Sequence, residues 1–475
     1  MYSLFLCILG ATSCIHLYYL YKYRHFKGPF ALPLVGNLYD LKTLYIIHYI
    51  HSCVRTYGSI FLFWVGCKPM VVICDPIVVR KVLTDTKTFI KGPDYTEKFS
   101  VVFGQGLVTS NGNKHKEDRT CLGRFFTKTH ISLYHKMICD ATDTMIDEEL
   151  VQKGLGKVID IQTFFHILSL RIFGMFSMGV DYSLPENRDM AKKINDGVKK
   201  GSAIVGRHII FQIPMIALIS SVRQVKQIVR FVDKHISQII QCRLNTMSTP
   251  HRDDLLGALL EKYDTNDGAI YDHIRTALAA GHDTTAFFGC YMAYLLAKHP
   301  EVQVNIRREV EKHGLHGNMT LEEEHLSKLT YCRCVLQEVL RLYTIIPFVN
   351  RTSTKAYAIE GKVIPANSTI LVPLSVMNRS ETIWENPNAF SPERFMHIQG
   401  HNNAQKGYLP FGYGTRSCIG ANLAMAEGMI MMVKLVSRFR LYPDVGFKPS
   451  IIAGISLISK NGIRVRLEEY QGANP

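Results

Sequence analysis

A chain of 475 residues with 47% hydrophobic and 20% charged content is too apolar for disorder and long enough to bury a large core. Its balance of basic over acidic residues is +15, which suits an anionic membrane surface or an acidic protein partner. Nucleic acid is not the expected partner, because no basic run is interleaved with aromatics and no zinc-finger spacing occurs. The twelve cysteines have no paired C-x-x-C spacing, which points to reducing surroundings.

Residues 1–21 contain no acid and no Lys or Arg, and approach the ~20 residues that a membrane-spanning helix needs. His16 is the one awkward residue. Tyr18, Tyr19, Tyr21 and Tyr23 can form an interfacial belt, and Lys22, Arg24, His25 and Lys27 follow directly. Positive charge after the helix and none before it places the remainder of the chain in the cytosol. A cleaved signal peptide is the alternative, but such peptides normally open with a basic stretch that is missing here. Residues 22–37, with Gly28-Pro29, Pro33 and Gly36-Asn37, read as a stiff hinge. Residues 38–475 read as a single, mostly helical domain, with no internal repeat and no low-complexity linker. Sequons occur at Asn318, Asn350, Asn367 and Asn378, bystanders if that domain is cytosolic.

From Ile60 to Cys74 the alternation of Phe61, Phe63 and Val65, the turn at Gly66 to Pro69 and the apolar run Met70 to Ile73 predict two short strands. Asp75-Pro76 opens a helix through Leu83. Tyr95 to Phe103 has no clear period. Asn111 to Arg124 is polar and basic, the pattern of a solvated helix face. Val158 to Val180 reads as a buried helix. Leu184 to Val225 combines Lys192, Lys193, Lys199 and Lys200 with an apolar patch from Ile209 to Ile219, which fits either a membrane-facing surface or an ordinary helix pair.

Two stretches carry chemistry. Asp272 to Lys298 is a long helix interrupted by Gly281, His282, Asp283, Thr284 and Thr285, poor formers that predict an opened turn with free carbonyls. The other stretch is Phe411-Gly412-Tyr413-Gly414-Thr415-Arg416-Ser417-Cys418-Ile419-Gly420. Its glycines permit tight turns, and a helix from Ala421 to Phe439 points its positive end at Cys418, favouring thiolate over thiol. A thiolate held in this way suits a soft or borderline metal such as haem iron, and Arg416 could pair with a propionate.

The ten-residue run resembles the haem-binding loop F-x-x-G-x-R-x-C-x-G of the cytochromes P-450, the haem-thiolate monooxygenases, with every fixed position filled. The resemblance extends along nearly all of the chain. It implies a mainly α fold with a small β portion, preceded by the membrane helix, and a hinge like that of microsomal members. Cys418 would ligate the iron of haem b, with Phe411 and Gly420 completing the loop and Arg416 on a propionate. Ala280-Gly281-His282-Asp283-Thr284-Thr285 resembles the family's A-G-x-D/E-T-T segment, in which Thr284 would hold oxygen and order water while Asp283 relays protons. His282 is read as structural. Residues 115–119 resemble a W-x-x-x-R segment: Arg119 would bond a propionate, with His115 where Trp is usual, and Arg351 is a further propionate partner. Glu338 and Arg341 resemble the E-x-x-R pair, joined by Arg394 of Pro392-Glu393-Arg394-Phe395, a set assigned to folding. Phe99, Phe103, Ala280, Ile346 and Val349 are candidate pocket residues; for Phe99 and Phe103 plain loop packing is the alternative.

The implied activity is insertion of one oxygen atom of O2 into an apolar, lipid-like small molecule, of fatty-acid or sterol type. Electrons would come from NADPH through a reductase, with cytochrome b5 as a further partner, at the endoplasmic reticulum membrane. The G-H-D-T-T string is similar to that of fatty-acid ω-hydroxylases, although the Glu used there for a haem ester link is replaced by Ala279 or Ala280. Sterol 14-demethylases carry His-Thr where this chain has Asp283-Thr284, which disfavours that assignment. A haem-thiolate isomerase or dehydratase of lipid peroxides, and a non-catalytic haem sensor, are the alternatives.

Overall fold

The computed structural model describes residues 2–38, 46–152, 155–211, 219–245, 253–316, 319–396 and 406–470. It is mainly helical, and its strands gather into small sheets. The strands are β1 (Ile60–Val65), β2 (Lys68–Ile73), β3 (Phe89–Ile90), β4 (Val158–Asp160), β5 (Val349–Ser353), β6 (Tyr357–Ile359), β7 (Lys362–Ile364), β8 (Thr369–Val372), β9 (Phe439–Pro443), β10 (Ile451–Ala453), β11 (Leu457–Ser459) and β12 (Arg464–Glu469). The largest sheet has the order β1-β2-β8-β5-β3, with β2 and β8 parallel and the other neighbours antiparallel. A second sheet runs β4-β12-β9, and β6-β7 and β10-β11 are separate hairpins.

The helical body is built around Gly268–Lys298, a helix of 31 residues whose first turn is capped by the Asp267 side chain. Every residue from Thr285 to Ala297 is buried, because helices lie on all sides of it. The helix Gln162–Met178 packs along it, with Phe173 set against Gly281 and Phe165 against Gly289. A Cβ at Gly281 would lie 2.2 Å from the Phe173 ring, so the helix penalty of that glycine permits a tight crossing. The helix remains α throughout, in place of the opened turn expected from its composition, and Thr284 Oγ1 donates back to Ala280 O at 2.6 Å. Two further expectations shift. Residues 158–160 form β4, and the helix starts only at Gln162, where the Asp160 carboxylate accepts from Gln162 N and Ile463 N. The aperiodic stretch around Tyr95 is the helix Pro93–Phe103, started by proline at its first position. The side chains of the 209–219 patch lie outside the described residues.

Residues Tyr2–Lys22 form a helix, yet among the described residues no helix is long and apolar enough to cross a membrane. Its last turns rest on the large sheet. The His16 ring sits 4.6 Å from that of Trp64, Tyr19 packs edge-on to Trp64, and the Tyr23 hydroxyl bonds Ser368 Oγ at 2.7 Å. The expected tyrosine belt is therefore divided: Tyr19 and Tyr23 face the protein, while Tyr18 and Tyr21 face outward. The proline-containing segment after the helix is bound along β1, through Leu62 N to Lys27 O at 2.8 Å and Trp64 N to Asn37 Oδ1 at 2.7 Å.

Before the Cys418 loop the chain is fixed by one buried ionic set. Glu338 and Arg341, both fully buried on the helix Thr330–Leu342, pair through Oε2 and Nε at 2.6 Å. Arg394 Nε reaches Glu338 Oε1 at 2.9 Å. Arg341 also donates to the carbonyls of Asn378, Pro387 and Ala389, and Ser391 N donates to Glu338. One carboxylate thus satisfies two guanidinium groups while they tie down the irregular 378–394 segment. Glu338→Ala leaves Arg341 buried without its anion and is expected to lower the unfolding free energy by ~3–5 kcal/mol in urea titration; a loss under about 1 kcal/mol, the range of an exposed pair, would contradict this role.

Candidate functional site

The Cys418 loop is bent by left-handed turns. Gly414 has φ +73°, and a Cβ there would meet the backbone oxygen of Leu83 at 2.8 Å, so no larger residue fits. Cys418 N closes the loop on Phe411 O at 2.7 Å, and the helix Ala421–Arg438 starts directly after Gly420. The sulfur opens into a cavity of ≈ 450 Å³. Burial pushes the Cys418 thiol up, opposed by a hydrogen bond from Gly420 N–H and by the charge of Arg119. A cation at the sulfur would favour the thiolate in the same direction as that amide and Arg119.

The long helix forms the opposite wall. Ala280, Asp283, Thr284 and Thr285 line the same cavity as Cys418, as do Phe411 and Gly420. Asp283 is buried and receives the Ser456 hydroxyl at 2.7 Å; burial raises its pKa to about 6, against that hydrogen bond and the charge of Lys199. His282 is turned away from the cavity and meets His166, Nε2 to Nδ1, at 3.4 Å, with burial holding both rings below their ordinary values. Phe99, Phe103, Ile346 and Val349 also line the cavity. Tyr95 and Phe99 stack at 4.0 Å, so the Pro93–Phe103 helix covers the space with aromatic rings.

One end of the cavity is strongly basic. Arg119, Arg416 and His115 line it, together with Lys91, which sequence reasoning passed over. Arg351 is not a lining residue; it lies buried beside them, its Nη1 on Asn350 O at 2.8 Å. Arg416 donates to Ser110 O at 2.6 Å and Asn111 Oδ1 at 2.9 Å, yet its Nη1 and the Arg351 Nε are buried with no hydrogen-bond partner among the described residues. Burial, then Arg351 and Arg416, hold Lys91 well below its ordinary value. Burial and neighbouring arginines bring Arg416 down to about 10 and His115 to about 4, so the imidazole is neutral. The His115–Arg119 helix, Gly112–Gly123, is held to the long helix by Asp118, which accepts from His273 Nε2 at 3.1 Å and Lys262 Nζ at 2.6 Å. Burial pushes Asp118 up, but the hydrogen bonds outweigh it and leave the carboxylate well below its usual range.

Buried cations with unmet donors require an anion. The free Cys418 sulfur facing the same cavity can ligate a thiophilic metal, and Phe, Leu, Ile and Ala residues line the rest of the space. A flat, largely apolar group bearing carboxylates and a thiophilic metal fits these residues, and haem is such a group.

A second residue missed by sequence reasoning is Glu427, the lone acid of the helix Ala421–Arg438. It is buried and bonded to Thr285, with Oε1 unpartnered among the described residues. Burial pushes it up to about 8 against the Thr285 hydrogen bond. It thus joins the helix behind the sulfur to the helix across the cavity.

The family model described as Cytochrome P450 matches residues 26–464. The chain is similar to a probable cytochrome P450 4e1 of Drosophila melanogaster, at 23% identity over 94% of this chain and 93% of that protein. It is similar to a cytokinin hydroxylase of Arabidopsis thaliana at 26%, covering 93% and 90% of the two chains. It is similar also to the cyclooctat-9-en-7-ol 5-monooxygenase of Streptomyces melanosporofaciens at 28%, covering 88% and 90%.

The raised Glu427 value has a definite sign. A carboxyl with ordinary value 4.5 and a folded value of about 8 stabilises the fold fully below the former and loses that contribution as pH rises through the latter. Glu427→Gln stays neutral, so its melting temperature should match that of the parent at pH 4.5 and exceed it at pH 9. Parallel curves across that range would contradict the assignment.

Proposed function

The chain belongs to the cytochrome P450 family and is a haem-dependent monooxygenase, and from that premise we propose that the cavity between Cys418 and Asp283 oxidises an apolar, lipid-like substrate of fatty-acid or sterol type. One observation carries this reading: Cys418, the Asp283–Thr284 pair and Arg416, with its unpartnered Nη1, line a single apolar space. In that space Cys418 would hold the iron of haem b, and Arg119, Arg351 and Arg416, with Lys91 and His115, would hold its propionates. When bound, thiolate-ligated haem supplies oxygen activation, favoured by electron density from the sulfur. Thr284, whose hydroxyl bonds Ala280 O, can turn between that carbonyl and a guest in the cavity. Asp283, raised by burial to about 6, can hold a proton near neutral pH and pass it into the cavity. Phe99, Phe103, Ile346 and Val349 exclude water and orient an apolar guest.

Electrons would come from NADPH through a reductase, with cytochrome b5 as a second donor; the net charge of +15 supports docking of acidic partners. We place the protein at the endoplasmic reticulum membrane by its N-terminal helix, with the catalytic domain in the cytosol. Supporting this, Leu17, Tyr18, Leu20 and Tyr21 are exposed on that helix, and Phe30, Leu32, Leu34 and Val35 are exposed in the segment after it. Exposed apolar residues on both sides of Lys22, Arg24 and Lys27 suit a lipid interface.

Three measurements test the proposal. Cys418→Ser should abolish the carbon monoxide difference band of thiolate-ligated haem, and persistence of the band would end the ligand assignment. Thr284→Ala should divert NADPH consumption from product to peroxide, and unchanged coupling would remove Thr284 from the reaction. Titration with fatty acids and sterols should shift the haem spectrum for one class; a shift produced only by polar compounds would overturn the lipid reading.

A further inference from the structure

The hairpin β10–β11 presents its tip, Gly454, Ile455 and Ser456, to the cavity. Ser456 is 2% exposed, and its hydroxyl donates to Asp283 Oδ2 at 2.7 Å, joining elements 173 residues apart. The tip is fixed independently of that bond. Leu457 N donates to Ile345 O at 2.7 Å, the Tyr291 hydroxyl donates to Leu457 O at 2.9 Å, and Gly454 N closes the turn on Ser456 O at 2.9 Å. A serine mounted so rigidly has few alternative positions for its hydroxyl. Ile455, the preceding residue, packs with Ala279 against the Phe99–Phe103 cluster that covers the cavity.

We propose that Ser456 is the positioning residue for Asp283, pinning its carboxyl group toward the hairpin. The proposal rests on the reading of Asp283 as the proton-carrying group. It assigns a task to a hydroxyl that touches neither the sulfur nor the basic end of the cavity.

The surroundings of Asp283 make this hydrogen bond consequential. Lys199, from the helix Arg188–Phe211, is the charged group that favours its ionised form. His166, from the helix Gln162–Met178, and His282 are held neutral. Along the long helix, burial keeps Cys290 and Tyr291 protonated. From the hairpin the contact is the neutral Ser456 hydroxyl. Removing that donor leaves burial opposed only by Lys199, so Asp283 must titrate at higher pH.

The test is an infrared titration of purified, haem-loaded protein, following the protonated carboxyl band that Asp283→Asn removes. Ser456→Ala should move the midpoint upward by about one pH unit, the size expected for one hydrogen bond. Ser456→Thr should restore it. Ser456→Cys keeps the volume and weakens the bond, so it should move the midpoint the same way by less; it serves as the loss variant if Ser456→Ala does not retain haem. A midpoint unmoved in the folded loss variant overturns the proposal. Peroxide release with NADPH and a reductase separates this from the underlying reading: if Asp283→Asn leaves that release unchanged, Asp283 carries no proton, whereas a midpoint displaced by Ser456 still upholds the pin.

Discussion

Positive charge buried without an anion is the constraint on which the site depends. Burial lowers the proton affinity of Lys91, Arg351 and Arg416, the charge of Arg351 lowers it further at the other two, and two of their nitrogen donors have no hydrogen-bond partner among the described residues. A folded chain retains such a group only where something negative completes it. The complementary charge is available at Cys418, which lines the same cavity within reach of the Arg119 charge and would become a thiolate on binding a metal. A single guest carrying both a metal and carboxylates suits both sites. This complementarity, more than the shape of the cavity, points to haem.

The structure supports the constraint in layers. Glu338, Arg341 and Arg394 fix the irregular chain that leads into the Cys418 loop. Asp118 fixes the helix carrying His115 and Arg119 to the helix carrying Asp283. Glu427 joins the helix behind the sulfur to the one across from it. Each of these acids lies outside the basic end of the cavity, so the cations there are left for the guest. The proton-handling wall has its own support in Ser456, supplied by a hairpin remote in sequence.

Much of this was legible in the sequence because it depends on local pattern. The Phe411–Gly420 run, the pair Glu338 and Arg341, and the alternating Phe61, Phe63 and Val65 each carry their geometry within a few residues. What depends on tertiary placement was not legible. Lys91 lies between the stretches whose pattern could be read, and only the fold brings it beside Arg351 and Arg416. Ser456 is an ordinary turn residue until the hairpin reaches Asp283. Glu427 did leave a signal, a lone acid in a helix rich in Ala and Met, and was passed over. Composition misled at residues 281–285, where poor helix formers suggested an opened turn. The glycine there serves the close approach of Phe173, and the Thr284 hydroxyl donates back to Ala280 O. At the N-terminus composition suggested a spanning segment but gave no sign that its end would pack on Trp64, nor that Tyr23 after it would bond Ser368.

The central claim is that the sulfur at residue 418 meets iron within this cavity. X-ray absorption at the iron edge of the purified protein reads that contact directly. The account predicts one sulfur among the atoms bonded to iron, lost when residue 418 is serine. An iron shell of nitrogen and oxygen alone in the unaltered protein would contradict it.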